Sequence, residues 1–152
     1  DAVRERRPPF SPATVTADFA ATLREFRIRA VTGDRYAGEY AREAFRRECI
    51  AYRIAGRAKS DLYAALVPAI NSERVVLPRH DRLAAQIVGL ERRTSRGGRD
   101  TIDHGPGHHD DIANGVAGLV FELLARAQHR DMAGGLPPQP HEQIHIREGI
   151  LI

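Results

Sequence analysis

This 152-residue chain has no tryptophan, one cysteine, one lysine and no long apolar run. The single Cys49 excludes an internal disulfide framework, so the chain must be held by its core. No stretch approaches the roughly eighteen apolar residues of a membrane span. The opening "DAVRERRPPFSP" lacks the hydrophobic centre of a secretion signal, and the expected location is the cytoplasm. Lys59 is the only lysine, so the formal charge of +3 rests almost wholly on arginine. Arginine richness often follows from a GC-rich genome; where the charge lies says more about a partner than its total does.

What is present reads as one globular domain: 42% hydrophobic, 28% charged, without repeats or low-complexity tracts. "AVRER" reads as a short strand. Ser11-Pro12 opens a helix through Arg27, with Val15, Phe19, Leu23 and Phe26 at helical spacing. A buried strand over Ile28 to Thr32 stops at Gly33-Asp34. A helix from about Glu39 to Glu48 and the strand "IAYRI" follow. Ser60 is expected to cap a third helix, through Leu62, Leu66 and Ile70, that ends before Asn71. "RVVL" reads as a strand, Asp81 to Leu90 as a helix, and "RRTSRGGRDTID" as two strands about Gly97-Gly98. The closing helix, Ile112 to Gln128, is apolar nearly all round, and Gly115 and Gly118 would let it approach a sheet closely. Alternating short strands and helices predict an α/β fold. After Met132, "AGGLPPQP" reads as a linker to a short tail.

The chemistry concentrates in "TIDHGPGHHDDIANGVAGL". Adjacent Asp110 and Asp111 stand at a helix mouth, where one acid serves as a cap. The second adds repulsion unless a cation lies between them. Asp34, at a strand end, is either a turn former or a group facing a ligand crevice. Together the acids suggest a divalent-metal site for phosphodiester cleavage.

At this point the chain resembles a family. The motifs "GDRYAG", "KSDLY", "RVVLP" and "HHDDIANGVAG", in that order between about Ala2 and Leu124, resemble the C-terminal nuclease domain of the large terminase subunit of tailed bacteriophages. The resemblance implies a ribonuclease-H-like mixed sheet flanked by helices, with residues 1–130 as a partial nuclease domain and 131–152 as linker and tail. It implies a metal-dependent endonuclease that cleaves concatemeric viral DNA during genome packaging in the host cytoplasm. The cofactor would be Mg2+ or Mn2+, as a two-metal site in the complete domain. Partners would be double-stranded DNA and, in the whole protein, an ATPase domain, a portal and a small terminase subunit.

By motif, Asp34 matches the family's middle acidic ligand and the Asp110-Asp111 pair its last one. Asp111 is the favoured ligand, with His108 three residues before it approaching the same metal and Asp110 as second ligand or cap. Lys59 contacts phosphate or is simply solvated. Two family features are missing: no residue matches the first catalytic Asp on the opening strand, a role not given to Asp1, and no G-x-x-x-x-G-K-[ST] loop occurs. The chain alone is therefore expected to cleave weakly or not at all.

Arg92, Arg93, Arg96 and Arg99 surround the hairpin tip and suit phosphate contact, with a solvated loop as the competing view. The tail holds a literal H-E-x-x-H, His141, Glu142 and His145, but Ile144 and Ile146 alternate as in a strand, against a helical zinc motif. A zinc site through His104, His108 and His109 fits less well than Mg2+ or Mn2+, given the hard carboxylates alongside. The alternatives are a non-catalytic DNA-binding or assembly module of the same fold, or another ribonuclease-H-like nuclease such as a resolvase or transposase.

Overall fold

A computed structural model of the chain describes residues 6, 8–33, 38–94, 97–98, 100–132 and 144–145. The class is mixed α and β, and contacts cluster into two units, Val3–Gly56 and Arg57–Leu151. Among the described residues no helix is long and apolar enough to cross a membrane.

In the first unit, α1 (Pro12–Glu25) starts where Ser11-Pro12 predicts. Ser11 has extended backbone at the cap position, but its hydroxyl makes no capping bond. The buried residues are Thr16, Ala20, Thr22 and Leu23, so of the Val15, Phe19, Leu23 and Phe26 stripe only Leu23 is fully buried, with Val15 and Phe19 half-buried. The threonines make this tolerable: Thr16 and Thr22 return their hydroxyls to the carbonyls of Pro12 and Asp18, so neither buries an unpaired oxygen. Phe26 falls at the helix end and is exposed. Next come β1 (Ala30–Gly33), α2 (Gly38–Arg47) and β2 (Ala51–Ile54). The two strands pair in parallel, Ala30 opposite Ala51 and Gly33 opposite Ile54, with α2 as the crossover that parallel pairing requires. Stacked rings of Phe45 and Tyr52, centroids 5.8 Å apart, fasten helix to strand. Gly33 has to be glycine, because a Cβ there would enter the Tyr52 ring.

The second unit holds α3 (Lys59–Asn71), β3 (Val75–Val76), α4 (Asp81–Val88), β4 (Leu90–Thr94), β5 (Asp100–His104), α5 (Asp111–Met132) and β6 (Ile144–His145). Its core is helix on helix. Leu62, Tyr63, Leu66 and Ala69 of α3 and Leu83 of α4 are buried with Ile112, Ala113, Val116, Ala117 and Val120 of α5. These recur every three to four residues, as packed helix faces require, and each large apolar side chain contributes about 1.5–3 kcal/mol. Gly118 faces Leu62 of α3, so the small residues of α5 serve an approach to a helix, where the sequence suggested a sheet. From Phe121 to His129 the residues of α5 are half-buried or exposed, and the helix runs on past Gln128 to Met132.

The hairpin forms as expected: β4 and β5 pair antiparallel from Leu90–His104 to Thr94–Asp100, with Gly98 at φ +76°. Leu90 belongs to this strand rather than to α4. The cap of α3 is also displaced. Ala58 takes the N-cap position, while Ser60 lies inside the first turn and accepts the Ile102 N–H at 2.9 Å, joining α3 to β5. In the tail, β6 pairs in parallel with β3, and His145 therefore sits on a strand, as its alternation predicts; His141 and Glu142 lie outside the described residues. The described strands pair two by two in three ribbons, where the resemblance implies a single mixed sheet.

Candidate metal centre

One hydrogen bond between α3 and β5, and one helix face that reaches two aspartates, assemble the site in the Arg57–Leu151 unit. Ser60 holds the start of α3 against Ile102, which sets Lys59 beside Asp103 at the end of β5. Lys59 and Tyr63, four residues apart, share one face of α3, and both reach Asp110 just before α5. The chain between β5 and α5 turns back through Gly105 and Gly107. Gly105 lies against the Glu91 carboxylate, which a Cβ would push aside, and Gly107 has φ +75°.

Asp110 is 6% exposed. Its carboxylate accepts the Tyr63 hydroxyl at 2.7 Å and lies 3.1 Å from Lys59 Nζ. A buried charge of this kind is tolerable only with such partners. The helix is capped by another residue: Gln86 Oε1 accepts the Ala113 N–H at 2.9 Å. The contacts of the Asp110 side chain run to Tyr63, Lys59 and His104 rather than to that N–H.

Lys59 Nζ also meets Asp103 Oδ1 at 2.5 Å. Burial alone would lower the lysine's pKa, but its hydrogen bonds and charge contacts with Asp103 and Asp110 outweigh this, and the net shift is upward. Correspondingly, the hydrogen bond from Lys59 holds the Asp103 carboxyl below the usual carboxylate range, against the opposing effect of burial. Burial first, and the Asp110 carboxylate second, push the Tyr63 phenol far above the ordinary tyrosine range, so it stays protonated and donates.

His104 completes the group. Its Nδ1 lies 2.9 Å from the Gly105 carbonyl oxygen, which can only accept, so Nδ1 carries the proton of the neutral ring. Nε2 then keeps its lone pair, at 3.7 Å from Asp103 and 3.9 Å from Asp110. An imidazole oriented by a backbone carbonyl through its other nitrogen is the usual arrangement of a metal-ligating histidine. Asp103, His104 and Asp110 offer ligand atoms that all lie within 4.8 Å of one another, and this group could hold a metal ion.

The structure distributes the residues singled out in the sequence unevenly. Asp110 lies in the donor group; Asp111, the favoured partner, is exposed on the first turn of α5 outside it. His108 is outside it too, and with His104, His109, Arg82 and Gln86 lines an adjoining cleft of about 240 Å³. The zinc trio of His104, His108 and His109 does not converge as a donor set among the described residues. Lys59 has its charge engaged by the two aspartates. Arg92 is held by Asp100 and Arg93 by Glu91. Asp34, Arg96 and Arg99 lie outside the described residues.

Asp103 and Tyr63 were not singled out in the sequence. The i, i+4 spacing of Lys59 and Tyr63 is a legible signal that phenol and ammonium share a face. Asp103 carries no comparable signal, because only the turn back through Gly105 brings it near Asp110. Comparison with protein-family models, with curated proteins and with solved structures returns no match for this chain.

Proposed function

We propose that this chain is a divalent-metal-dependent endonuclease domain acting on the DNA backbone, of the ribonuclease-H-like kind found in phage large terminases. The observation that carries the reading is the convergence of Asp103, His104 and Asp110 at the mouth of α5, where the motif resemblance puts an acidic ligand. Two carboxylates and one imidazole suit a hard or borderline divalent ion, Mg2+ or Mn2+. Bound there, the ion would supply Lewis-acid polarisation of a phosphodiester and activation of water. The protein's own part is positional. Tyr63 fixes the Asp110 carboxylate, the Gly105 carbonyl fixes the His104 tautomer, and the pairing of α3 with β5 fixes Asp103. The arginines of the β4–β5 hairpin would add contacts to phosphate without reading bases.

The test combines ion binding with plasmid nicking at high protein concentration. The expected outcome is Mn2+ binding and slow Mn2+-dependent nicking by the 152-residue chain, both lost in Asp110→Asn. No ion binding by the unaltered chain would sink the metal centre. Nicking that persists in Asp110→Asn, or that needs no ion, would reject this group as the nuclease centre, and ion binding with DNA retention but no nicking would favour a DNA-holding module.

A further inference from the structure

The donor group is already in contact with a cation of the protein's own. Lys59 Nζ touches Asp103 at 2.5 Å and Asp110 at 3.1 Å, so the ammonium bridges both carboxylates of a group whose ligand atoms span no more than 4.8 Å. A divalent ion beside His104 Nε2 would require Asp103 Oδ1, the oxygen the ammonium already touches, at about 2.0–2.6 Å. It would then lie close to the ammonium, and the two positive charges would repel. The two cations therefore compete for Asp103 Oδ1, while Asp110 turns Oδ2 to the ammonium and Oδ1 to the imidazole.

We infer that Lys59 is the resident counter-cation of the Asp103–His104–Asp110 group, and that a divalent ion enters by displacing its ammonium; this rests on the metal-centre reading above. Two features make the exchange feasible. Lys59 is the first residue of α3, and its side chain is one-third exposed, so the flexible stem can swing to solvent without unwinding the helix. Asp110, in contrast, is held by the buried Tyr63 hydroxyl and stays in place when the ammonium leaves. The arrangement also accounts for how the acids remain together without an ion. Asp103 and Asp110 would repel across the short gap, and Lys59 neutralises that repulsion, keeping the donors assembled at the expense of ion affinity.

The sequence supplies the probe, since a chain with one lysine gives one lysine signal. The protein labelled with 15N and 13C at lysine is titrated with Mg2+ alone while binding heat is recorded. The expected result is that the Lys59 ammonium and ε-carbon resonances move to the position of a solvated lysine in step with ion binding. Ion binding with an unmoved Lys59 signal overturns displacement and leaves the metal centre standing; absence of any ion binding removes both. In parallel, Lys59→Met should bind Mn2+ about tenfold tighter than the unaltered chain, because the competing charge is gone. Equal or weaker Mn2+ binding by a folded Lys59→Met protein counts against the inference. The wild-type titration decides the question even if that variant does not fold.

Discussion

The hairpin and the mouth of α5 use the same kind of ion pair in two settings. On β4 and β5, Arg92 meets Asp100 and Arg93 meets Glu91, with both guanidinium groups more than half exposed. At α5, Lys59 meets Asp110, whose side chain is only 8% exposed. Exposed pairs gain little over hydration and can exchange one partner for another, such as a phosphate. A buried carboxylate has no water to fall back on, so its partners are obligatory until something else replaces them. The hairpin arginines are thus available despite being paired, whereas Asp110 holds its donors tightly enough to define a geometry.

The largest effect should come from the residue that makes the second setting dry. Tyr63 is fully buried and contributes both a ring to the core and a proton to Asp110. Tyr63→Ala should cost about 4 kcal/mol, the usual range for emptying an aromatic site. Tyr63→Phe should cost about 2 kcal/mol, through the lost hydrogen bond to a charged acceptor. Urea denaturation of both variants separates the two contributions. If Tyr63→Phe were as stable as the unaltered protein, Asp110 would be better solvated than its burial implies, and the contrast with the hairpin would weaken.

A smaller change should follow at the hairpin, visible in DNA binding and not in folding. Replacing Arg92, Arg93, Arg96 and Arg99 together by Ala should flatten the salt dependence of DNA affinity, because each neutralised phosphate releases condensed counterions. Thermal stability should change little, since exposed pairs contribute little. An unaltered salt slope would return the hairpin to the status of a solvated loop.

These contrasts also explain what was legible in the sequence. The helices of the core were readable because their apolar residues recur at helical spacing, and the hairpin because Gly97-Gly98 separates two short strands. Helix ends were harder. Helices α1, α2 and α3 are each followed by a left-handed residue that is not glycine, Arg27, Cys49 and Glu73. In each case the next residue's N–H closes the end, Ile28 to Leu23, Ile50 to Phe45 and Arg74 to Ala69. Without glycine at those positions the stop signal is absent from the sequence. The site was half legible. Asp110 stands out by its place before an apolar helix, but its burial relative to Asp111 depends on how α3 packs on α5. Asp103 becomes a candidate only once a turn and a strand register bring it round, which are tertiary facts.

The finest test of the comparison is the pH response of one exposed acid. The Thr94 hydroxyl, first, and the Arg92 guanidinium, second, hold the Asp100 carboxyl below its ordinary value, with slight opposition from burial. A carboxyl whose folded pKa is depressed adds stability above its unfolded pKa, about 3.9, and loses it as the pH falls through the lower folded value. The stability difference between the unaltered protein and Asp100→Asn should therefore be small and level from about pH 8 to pH 5, then shrink below about pH 4. Thermal melts of both proteins across that range, in buffer free of divalent ions, give the curve. A difference that grew steadily between pH 7 and pH 5 would trace to a group titrating near neutrality, and the Thr94–Asp100–Arg92 contacts would not be its source.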